Sequence, residues 1–439
     1  FVPVYLDGDD PGAQKWGDVF GIAGYPTVLA LGPDRKELAR IAGGMDLKLY
    51  TDMLDLVLGD LRPIDDLVAE AREATGSLSL DDCRRLAYNG WGLEDSPPAG
   101  EARLAAALDA AADRCPADAR VERARLIVLA AAYAVSAETD GKADASAHDE
   151  ASKLAAALVP RVRQIVADRA LAAVILDALQ YLDEEFFAAS DRMSHDASPQ
   201  LLADWSAAMD AALEDGRYTA GDRLMALYSR LAAVKALGAD HSIPAPLAAD
   251  ADRLVDAALA DARGTPAEPG VVNAALNVLA TLGENERAYA VAEQAMQSSK
   301  TPYYYMADLA DLDEELGRTQ AAIGWLERAY RESKGPATRF EWGTSYVRGL
   351  IRMKPDDEAA VRDAAIEVLG ELEGPDRIHT RARTRLERLD ASLREWSKGG
   401  AHAAALAAIR ARMDSVCAGI PSTDGEALRS CGGFLADRG

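Results

Sequence analysis

Four cysteines are the residues of this chain best suited to thiol and disulfide chemistry: Cys83, Cys115, Cys417 and Cys431. Cys83 lies near the start of one predicted helix and Cys115 at the end of the next, so the two meet if these helices form an antiparallel hairpin. A bridge between Cys417 and Cys431 would pin the carboxyl end. An even number of locally pairable cysteines favours disulfides and an oxidising compartment such as a bacterial periplasm. Four buried thiols in a cytoplasmic protein are the alternative.

Other residues with chemical potential do not form recognisable sites. The five histidines are scattered without metal-ligand spacing, so the sequence predicts no metal site and no cofactor. Carboxylate runs at 183–185 and 311–315 have no neighbouring histidine or nucleophile, and we interpret them as solvated helix faces. No phosphate-binding glycine loop and no nucleophile elbow occurs. These residues therefore indicate no catalytic centre.

The net charge of the chain disfavours some classes of partner. The chain has 48 lysines and arginines against 72 aspartates and glutamates, a formal net charge of −24. Such a charge repels phosphate backbones and anionic lipid headgroups, which disfavours nucleic acid and membrane surfaces as partners. No run of about 18 apolar residues occurs, so no membrane span is predicted. A protein or peptide client is the partner class that remains.

The secondary structure predicted for the first sixty residues differs from that predicted for the remainder of the chain. The low aromatic content of the whole chain, 6%, and its many alanines favour close-packed helices beyond residue 60. The first sixty residues instead contain short β-rich runs separated by Gly32-Pro33-Asp34-Arg35, which predicts a hairpin. The predicted order is strand 2–6, helix 12–20, strand 27–31, strand 37–41 and helix 46–61.

The turn Gly24-Tyr25-Pro26-Thr27 lies between the first helix and the hairpin. Together with Gly43-Gly44 and the closing helix, it resembles the second half of a thioredoxin fold. The resemblance implies a cis peptide bond before Pro26 and a substrate-binding loop of Tyr25, Pro26 and Thr27, whose backbone pairs with an extended substrate. Only ~5–6% of X-Pro bonds in folded proteins are cis. An ordinary trans proline before a strand is the alternative.

One part of the thioredoxin pattern is missing. That fold begins with a strand, a helix, a strand and a helix bearing Cys-x-x-Cys, whereas no cysteine here precedes Cys83. Either the chain begins inside its first domain or the half-domain has another origin, and we favour the first. Because thiol exchange requires a thiolate at the point of attack, we expect no redox turnover by these 439 residues alone.

A repeat with a period of 34 residues is the most specific pattern in the remainder of the chain. Leu282-Gly283 recurs as Leu316-Gly317, and five further residues recur in the same register. They are Ala288 and Ala322, Ala295 and Ala329, Ser299 and Ser333, Lys300 and Lys334, and Pro302 and Pro336. The period and spacing resemble the tetratricopeptide repeat, in which each unit is two antiparallel helices. Two units fit, 269–302 and 301–336, within an irregular helical solenoid.

Aromatic residues open the second repeat and the hairpin that follows it. We predict that Tyr304, Phe340 and Trp342 line a partner-binding groove, because the first helices of such repeats can form a concave surface that receives a peptide. Simple packing between helices is the alternative interpretation.

The sequence thus predicts a mostly α protein, with an incomplete thioredoxin-like α/β domain followed by a tetratricopeptide-like solenoid. Four segments are expected: the thioredoxin half at 1–61, irregular hairpins at 62–268, repeats at 269–370, and terminal helices with a disulfide-pinned tail at 371–439. The expected function is that of a periplasmic or secreted thioredoxin-family protein that binds a client in thiol-disulfide exchange or protein quality control. A non-catalytic scaffold, a chaperone-like holdase and a cytoplasmic location are the alternatives.

Overall fold

The structure is a computed structural model that describes residues 2–8, 13–22, 26–42, 47–73, 76–92, 100–139, 145–182, 184–374 and 377–436. Within these ranges the chain has 22 α-helices and one two-stranded antiparallel sheet. The mostly α fold predicted from the sequence is therefore confirmed. No helix in the described ranges combines the length and the apolarity needed to cross a bilayer.

The elements follow in chain order. The first are α1 (Ala13–Val19), β1 (Thr27–Leu31), β2 (Glu37–Ala42), α2 (Leu47–Gly59), α3 (Ile64–Glu73), α4 (Leu80–Tyr88), α5 (Glu101–Arg114), α6 (Arg120–Thr139), α7 (Ala145–Ala167), α8 (Arg169–Val174), α9 (Leu176–Leu179), α10 (Glu184–Met193), α11 (Ser198–Glu214), α12 (Ala220–Leu237), α13 (Ala245–Ala262) and α14 (Glu268–Leu282). The others are α15 (Asn285–Ser298), α16 (Pro302–Glu315), α17 (Thr319–Glu332), α18 (Pro336–Met353), α19 (Glu358–Leu369), α20 (Thr380–Trp396), α21 (Ala403–Cys417) and α22 (Gly425–Gly433).

The chain divides into two compact units. The amino unit is Gly24–Glu284, and the carboxyl unit combines Phe1–Ala23 with Asn285–Gly439. The division passes between Glu284 and Asn285, inside the first predicted repeat. The four segments predicted from the sequence have other boundaries, and these remain predictions.

The predicted hairpin and its closing helix are present in the amino unit. β1 pairs antiparallel with β2, from Thr27 opposite Ala42 onward. In the connecting turn the Gly32 amide donates to the Lys36 carbonyl at 2.8 Å. Met53 and Val57 of α2 are buried in one hydrophobic cluster with residues of β2. The β-rich runs therefore fold as a hairpin because α2 covers their apolar side chains.

The strand predicted at residues 2–6 is not formed, and that prediction was wrong. These residues have no regular secondary structure, and Val2 and Tyr5 are 88% and 89% exposed. A strand needs a neighbouring chain for its backbone hydrogen bonds, and the sheet in the described residues consists of β1 and β2 alone. A short apolar run without such a partner stays irregular.

A buried polar network joins β2 to α4. The Arg40 amide donates to Asn89 Oδ1 at 2.8 Å, and the Gly90 amide donates to the Arg40 carbonyl at 2.7 Å. The Arg85 guanidinium, in a side chain 1% exposed, donates to the Leu38 carbonyl at 2.9 Å. These bonds satisfy backbone groups of β2 that would otherwise be buried without partners.

In the carboxyl unit, α1 is joined to the start of α20 through Asp18. Its Oδ1 accepts a hydrogen bond from the Thr380 amide at 2.6 Å, which caps α20 from a residue distant in sequence. His379 Nδ1 lies 3.3 Å from Asp18 Oδ2. Burial acts to raise the pKa of Asp18, but the hydrogen bonds from His379 and Thr380 outweigh it, so that this pKa is lowered.

The period of 34 residues is visible in the helix bounds. α14 and α16 begin at Glu268 and Pro302, and α15 and α17 begin at Asn285 and Thr319. The glycine at each predicted turn, Gly283 or Gly317, adopts a left-handed conformation with φ of +78° or +72°. Such glycines end helices because they lack the Cβ that this conformation disfavours.

The residues that recur in the repeat are mostly buried. Ala288, Ala295, Ala322 and Ala329 all lie in the interior. Small side chains at these positions allow the helices to approach closely. The helix starts therefore recur with the period of the sequence repeat, and the assignment of this repeat to the tetratricopeptide family remains a prediction.

Close helix packing in the carboxyl unit occurs at Gly343 of α18. A Cβ placed there would lie 2.7 Å and 2.9 Å from the two methyl groups of Val368 and 3.2 Å from the Tyr330 ring. Val368 belongs to α19 and Tyr330 to α17. Because valine is stiff at χ1, the neighbour cannot easily move aside.

We therefore expect Gly343→Ala to lower the free energy of unfolding by about 1–3 kcal/mol through overpacking. Gly324→Ala in α17 is the matched control, since nothing lies within 4 Å of the added methyl group. This control should raise stability by about 0.5–1 kcal/mol because alanine is the better helix former. Urea denaturation followed by circular dichroism measures both, and equal effects of the two substitutions would contradict the packing described here.

Candidate functional site

The predicted substrate loop lies only partly within the described residues. Tyr25 is outside them, Pro26 is exposed, and the half-buried Thr27 begins β1. The thioredoxin-like role of these three residues remains a prediction.

All four cysteines are paired in disulfides. Cys83 is bonded to Cys115, and Cys417 to Cys431, the two couples that the sequence favours. The first joins α4 to the end of α5, and the second joins the end of α21 to α22. The chain therefore has no free thiol.

Two of the three aromatic residues predicted to line a groove form a cluster with Tyr303. The ring centroids of Tyr304 and Trp342 are 5.5 Å apart in an edge-on arrangement, and the Tyr303 centroid lies 5.0 Å and 6.1 Å from them. Tyr304 is 54% exposed. We call Tyr303, Tyr304 and Trp342 the aromatic cluster. It joins α16 to α18, the first helices of two successive hairpins.

The third residue of the predicted groove, Phe340, is 1% exposed and lies in the hydrophobic core. Its prediction as a groove residue was wrong. Phe340 and Trp342 are two positions apart on α18, and consecutive helical residues are rotated by about 100°. They therefore point to nearly opposite sides, and only one of them can face outward.

Side-chain contacts align α16 and α18 in parallel. Arg352 Nε donates to Glu314 Oε1 at 2.5 Å, a pair separated by 38 positions. Tyr304 and Trp342 contact each other at the same separation. A constant separation at two points means that the helices run in the same direction, side by side.

α20 continues this alignment on the other side of α18. Both Arg381 and Arg385 donate to the Glu341 carboxylate. Further along, Trp396 Nε1 donates to the Pro355 carbonyl at 2.8 Å. We call the surface shared by the three helices the α16/α18/α20 face. It contains Tyr304, Asp308 and Asp311 of α16, Trp342, Ser345, Arg348 and Arg352 of α18, and Arg381, Arg385 and Arg388 of α20.

The two sides of this face carry opposite charge. Asp308 and Asp311 lie on the α16 side, whereas arginines dominate the α18 and α20 side. Burial raises the pKa of Asp308 to about 6, and the charge of Asp311 adds to the increase. Asp308 is therefore costly to ionise and marks a partly desolvated part of the surface.

Two nitrogen donors on this face are buried without a hydrogen-bond partner, Trp342 Nε1 and Arg348 Nε. An unsatisfied buried donor costs free energy that a suitable acceptor would recover. The face thus combines aromatic side chains with arginines, a surface suited to holding an extended peptide.

Sequence reasoning missed a cleft in the amino unit, which has a volume of about 730 Å³ and is lined by α2, α4 and the segment between α2 and α3. Arg62 reaches Asp60 at 3.0 Å, Glu70 at 2.5 Å and also Asp82. The other cations of the lining are likewise paired with carboxylates. Because each cation of the lining already has a carboxylate partner, an anionic ligand would have to compete with these ion pairs.

The comparisons with known proteins do not assign a family. No protein-family model matches the chain, and no curated protein is similar to it. Among the described residues, no group of three or more His, Cys, Asp or Glu side chains could hold a metal ion. Function must therefore be inferred from the α16/α18/α20 face itself.

The raised pKa of Asp308 predicts a pH-dependent effect of Asp308→Asn. The folded state binds a proton between pH 3.8 and about 6, so this stabilising contribution is present at low pH and is lost as the pH rises through 6. Asparagine cannot ionise, so the variant should be about 1–2 kcal/mol more stable than the wild type at pH 8, after allowance for solvent screening. Near pH 4.5 the advantage should become small.

Denaturation at both pH values measures this difference. The exposed Asp356→Asn, which likewise removes one carboxylate, is the control. An Asp308→Asn effect that is the same at pH 4.5 and pH 8 would contradict the interpretation.

Proposed function

We propose that this chain is a client-binding protein that holds an extended segment of another protein on the α16/α18/α20 face. A role in protein quality control, as a holdase or a scaffold, fits this activity. The observation that carries the proposal is the aromatic cluster, in which Tyr304 is exposed and Trp342 Nε1 has no partner.

Surface aromatic residues are efficient contacts for a partner. Tyrosine and tryptophan contribute large contact areas with few rotatable bonds, and with arginine they are enriched at binding hot spots. All three residue types occur together on this face. Its position on successive helix pairs also suits a bound peptide.

Two further features support the class of partner and the compartment. The net charge of −24 disfavours nucleic acid, which leaves a protein or peptide client. The two disulfides support an oxidising compartment, such as a bacterial periplasm or the exterior of the cell. A cytoplasmic location is the alternative, and there these cysteines would stay reduced.

Thiol-disulfide exchange is the second candidate function. The observation that favours it is the β1–β2 hairpin with α2 packed on it, as the resemblance to the second half of a thioredoxin fold implies. Exchange requires a nucleophilic thiolate, which four disulfide-bonded cysteines do not supply. Client binding is therefore the function that these residues support best.

The binding role predicts that Tyr304→Ala lowers the affinity for an unfolded polypeptide by about tenfold, because an exposed hot-spot aromatic contributes to binding more than to folding. Trp342→Phe keeps an aromatic side chain but removes the indole Nε1–H donor. It should lower the affinity by less than Tyr304→Ala does. A fluorescein-labelled, permanently unfolded polypeptide reports binding by anisotropy, and thermal melting reports folding.

The matched control is Leu254→Ala, which removes an exposed apolar side chain of the amino unit. It should leave the affinity unchanged. If Tyr304→Ala binds as tightly as the wild type, or if it only lowers the melting temperature, the binding face has been misassigned.

The disulfide pairing predicts that the unreduced protein contains no thiol reactive toward Ellman's reagent, even after unfolding. For the same reason, the chain should not accelerate the reduction of a dye-labelled disulfide peptide by glutathione. Four reactive thiols in the unfolded protein would overturn both the pairing and the oxidising compartment. Rapid turnover would show that exchange, and not binding alone, is the function.

A further inference from the structure

The arginines of the α16/α18/α20 face are not balanced by carboxylates. Arg352 is paired with Glu314, and Arg385 with Glu341. Arg348 and Arg388 have no ion pair with any carboxylate in the described part of the chain. Unpaired arginines close together are unexpected in a chain with 24 more acidic than basic residues.

Of the two arginines, Arg348 has the greater need of an anionic partner because it is partly buried. Its Nε is inaccessible to solvent and has no hydrogen-bond partner. Burial lowers the pKa of its guanidinium, and the charges of nearby cations lower it further. These cations are Arg388, Arg352 and Arg385. A cation held among cations is unfavourable until an anion joins it.

Helix alignment places Arg388 beside Arg348. Glu341 of α18 contacts Arg381 of α20, and both helices run in the same direction. Arg348 and Arg388 each lie seven positions, or about two helical turns, beyond these contacts. The two unpaired guanidinium groups therefore face the same part of the surface.

The distance between the aromatic cluster and Arg348 sets the number of peptide residues that would separate two bound side chains. Trp342 and Arg348 are six positions apart on α18, which corresponds to about 9 Å along the helix. An extended peptide advances about 3.3 Å per residue. About three peptide residues therefore separate a side chain on the aromatic cluster from one over Arg348.

We propose that Arg348 and Arg388 bind an acidic side chain of the client segment, about three residues from an apolar side chain on the aromatic cluster. This inference rests on the proposed client-binding function and names the class of segment. Guanidinium groups suit a carboxylate because their planar donors match its two oxygens.

A polymeric anion fits this surface less well. The net charge of the chain is −24, and Asp308 and Asp311 occupy the α16 side of the same face. A nucleic acid strand would meet these carboxylates along its length. A single acidic side chain can contact the arginines and avoid the aspartates.

Short fluorescein-labelled peptides test the proposal. Each contains one phenylalanine in a glycine and serine background. One glutamate lies about three positions before the phenylalanine, and a second lies about three positions after it. Matched peptides carry glutamine or lysine in place of glutamate. We expect the wild type to bind the glutamate peptide at least tenfold more tightly than the glutamine peptide, with the lysine peptide weakest. Added salt should reduce this preference.

The double variant Arg348→Gln and Arg388→Gln should abolish the preference for glutamate, so that the glutamate and glutamine peptides bind to it with equal affinity. Removing mutually repelling charges should not lower the melting temperature. Arg429→Gln is the control, because this exposed arginine of the carboxyl unit is outside the face.

The outcomes separate this inference from the proposed function. If the glutamate and glutamine peptides bind equally, and Tyr304→Ala weakens both, the acidic preference is wrong and client binding stands. If no peptide binds, both proposals are overturned. Tighter binding of a single-stranded oligonucleotide that depends on the same arginines would overturn the peptide assignment in favour of a polyanion.

Discussion

The close approach of α18 to the helices on either side of it is the constraint on which the candidate site depends. At Gly343 there is no room for a side chain between Val368 of α19 and Tyr330 of α17. This contact fixes the rotation of α18 about its own axis. With that rotation, Phe340 lies inside the core, while Trp342 and Arg348 lie on the face shared with α16 and α20. A rotation of two residues, about 200°, would bring Phe340 to the side that Trp342 occupies.

In this acidic chain, arginine side chains join secondary-structure elements through ion pairs with carboxylates. Arg62 bonds three carboxylates around the cleft of the amino unit. Arg352 joins α18 to α16 through Glu314, and two arginines of α20 share Glu341. With acidic residues in excess, most partly buried arginines find a carboxylate nearby. Arg348 does not, and its isolation makes the α16/α18/α20 face different from the structural ion pairs.

The hairpin covered by α2 is present in the structure, and its assignment to a thioredoxin-like fold remains a prediction. The hairpin also depends on α4, because Arg85 and Asn89 satisfy backbone groups of β2. The helix that precedes the hairpin in sequence, α1, belongs to the carboxyl unit, where Asp18 caps α20. Neither family assignment is needed for the client-binding proposal, since the proposal depends on side chains of α16, α18 and α20.

Local patterns in the sequence were sufficient for features that involve neighbouring residues. The hairpin, its closing helix, the helix starts with a period of 34 residues and the cysteine pairing all depend on short-range spacing, and the sequence therefore determined them. Tertiary contacts decided the rest. Residues 2–6 have strand-like composition, but they lack a partner for backbone hydrogen bonds. The spacing of Phe340 and Trp342 shows that they oppose each other, yet only the packing at Gly343 decides which is buried. The missing carboxylate at Arg348 likewise depends on which helices surround it, because electrostatic partners are set by proximity in space and not along the chain.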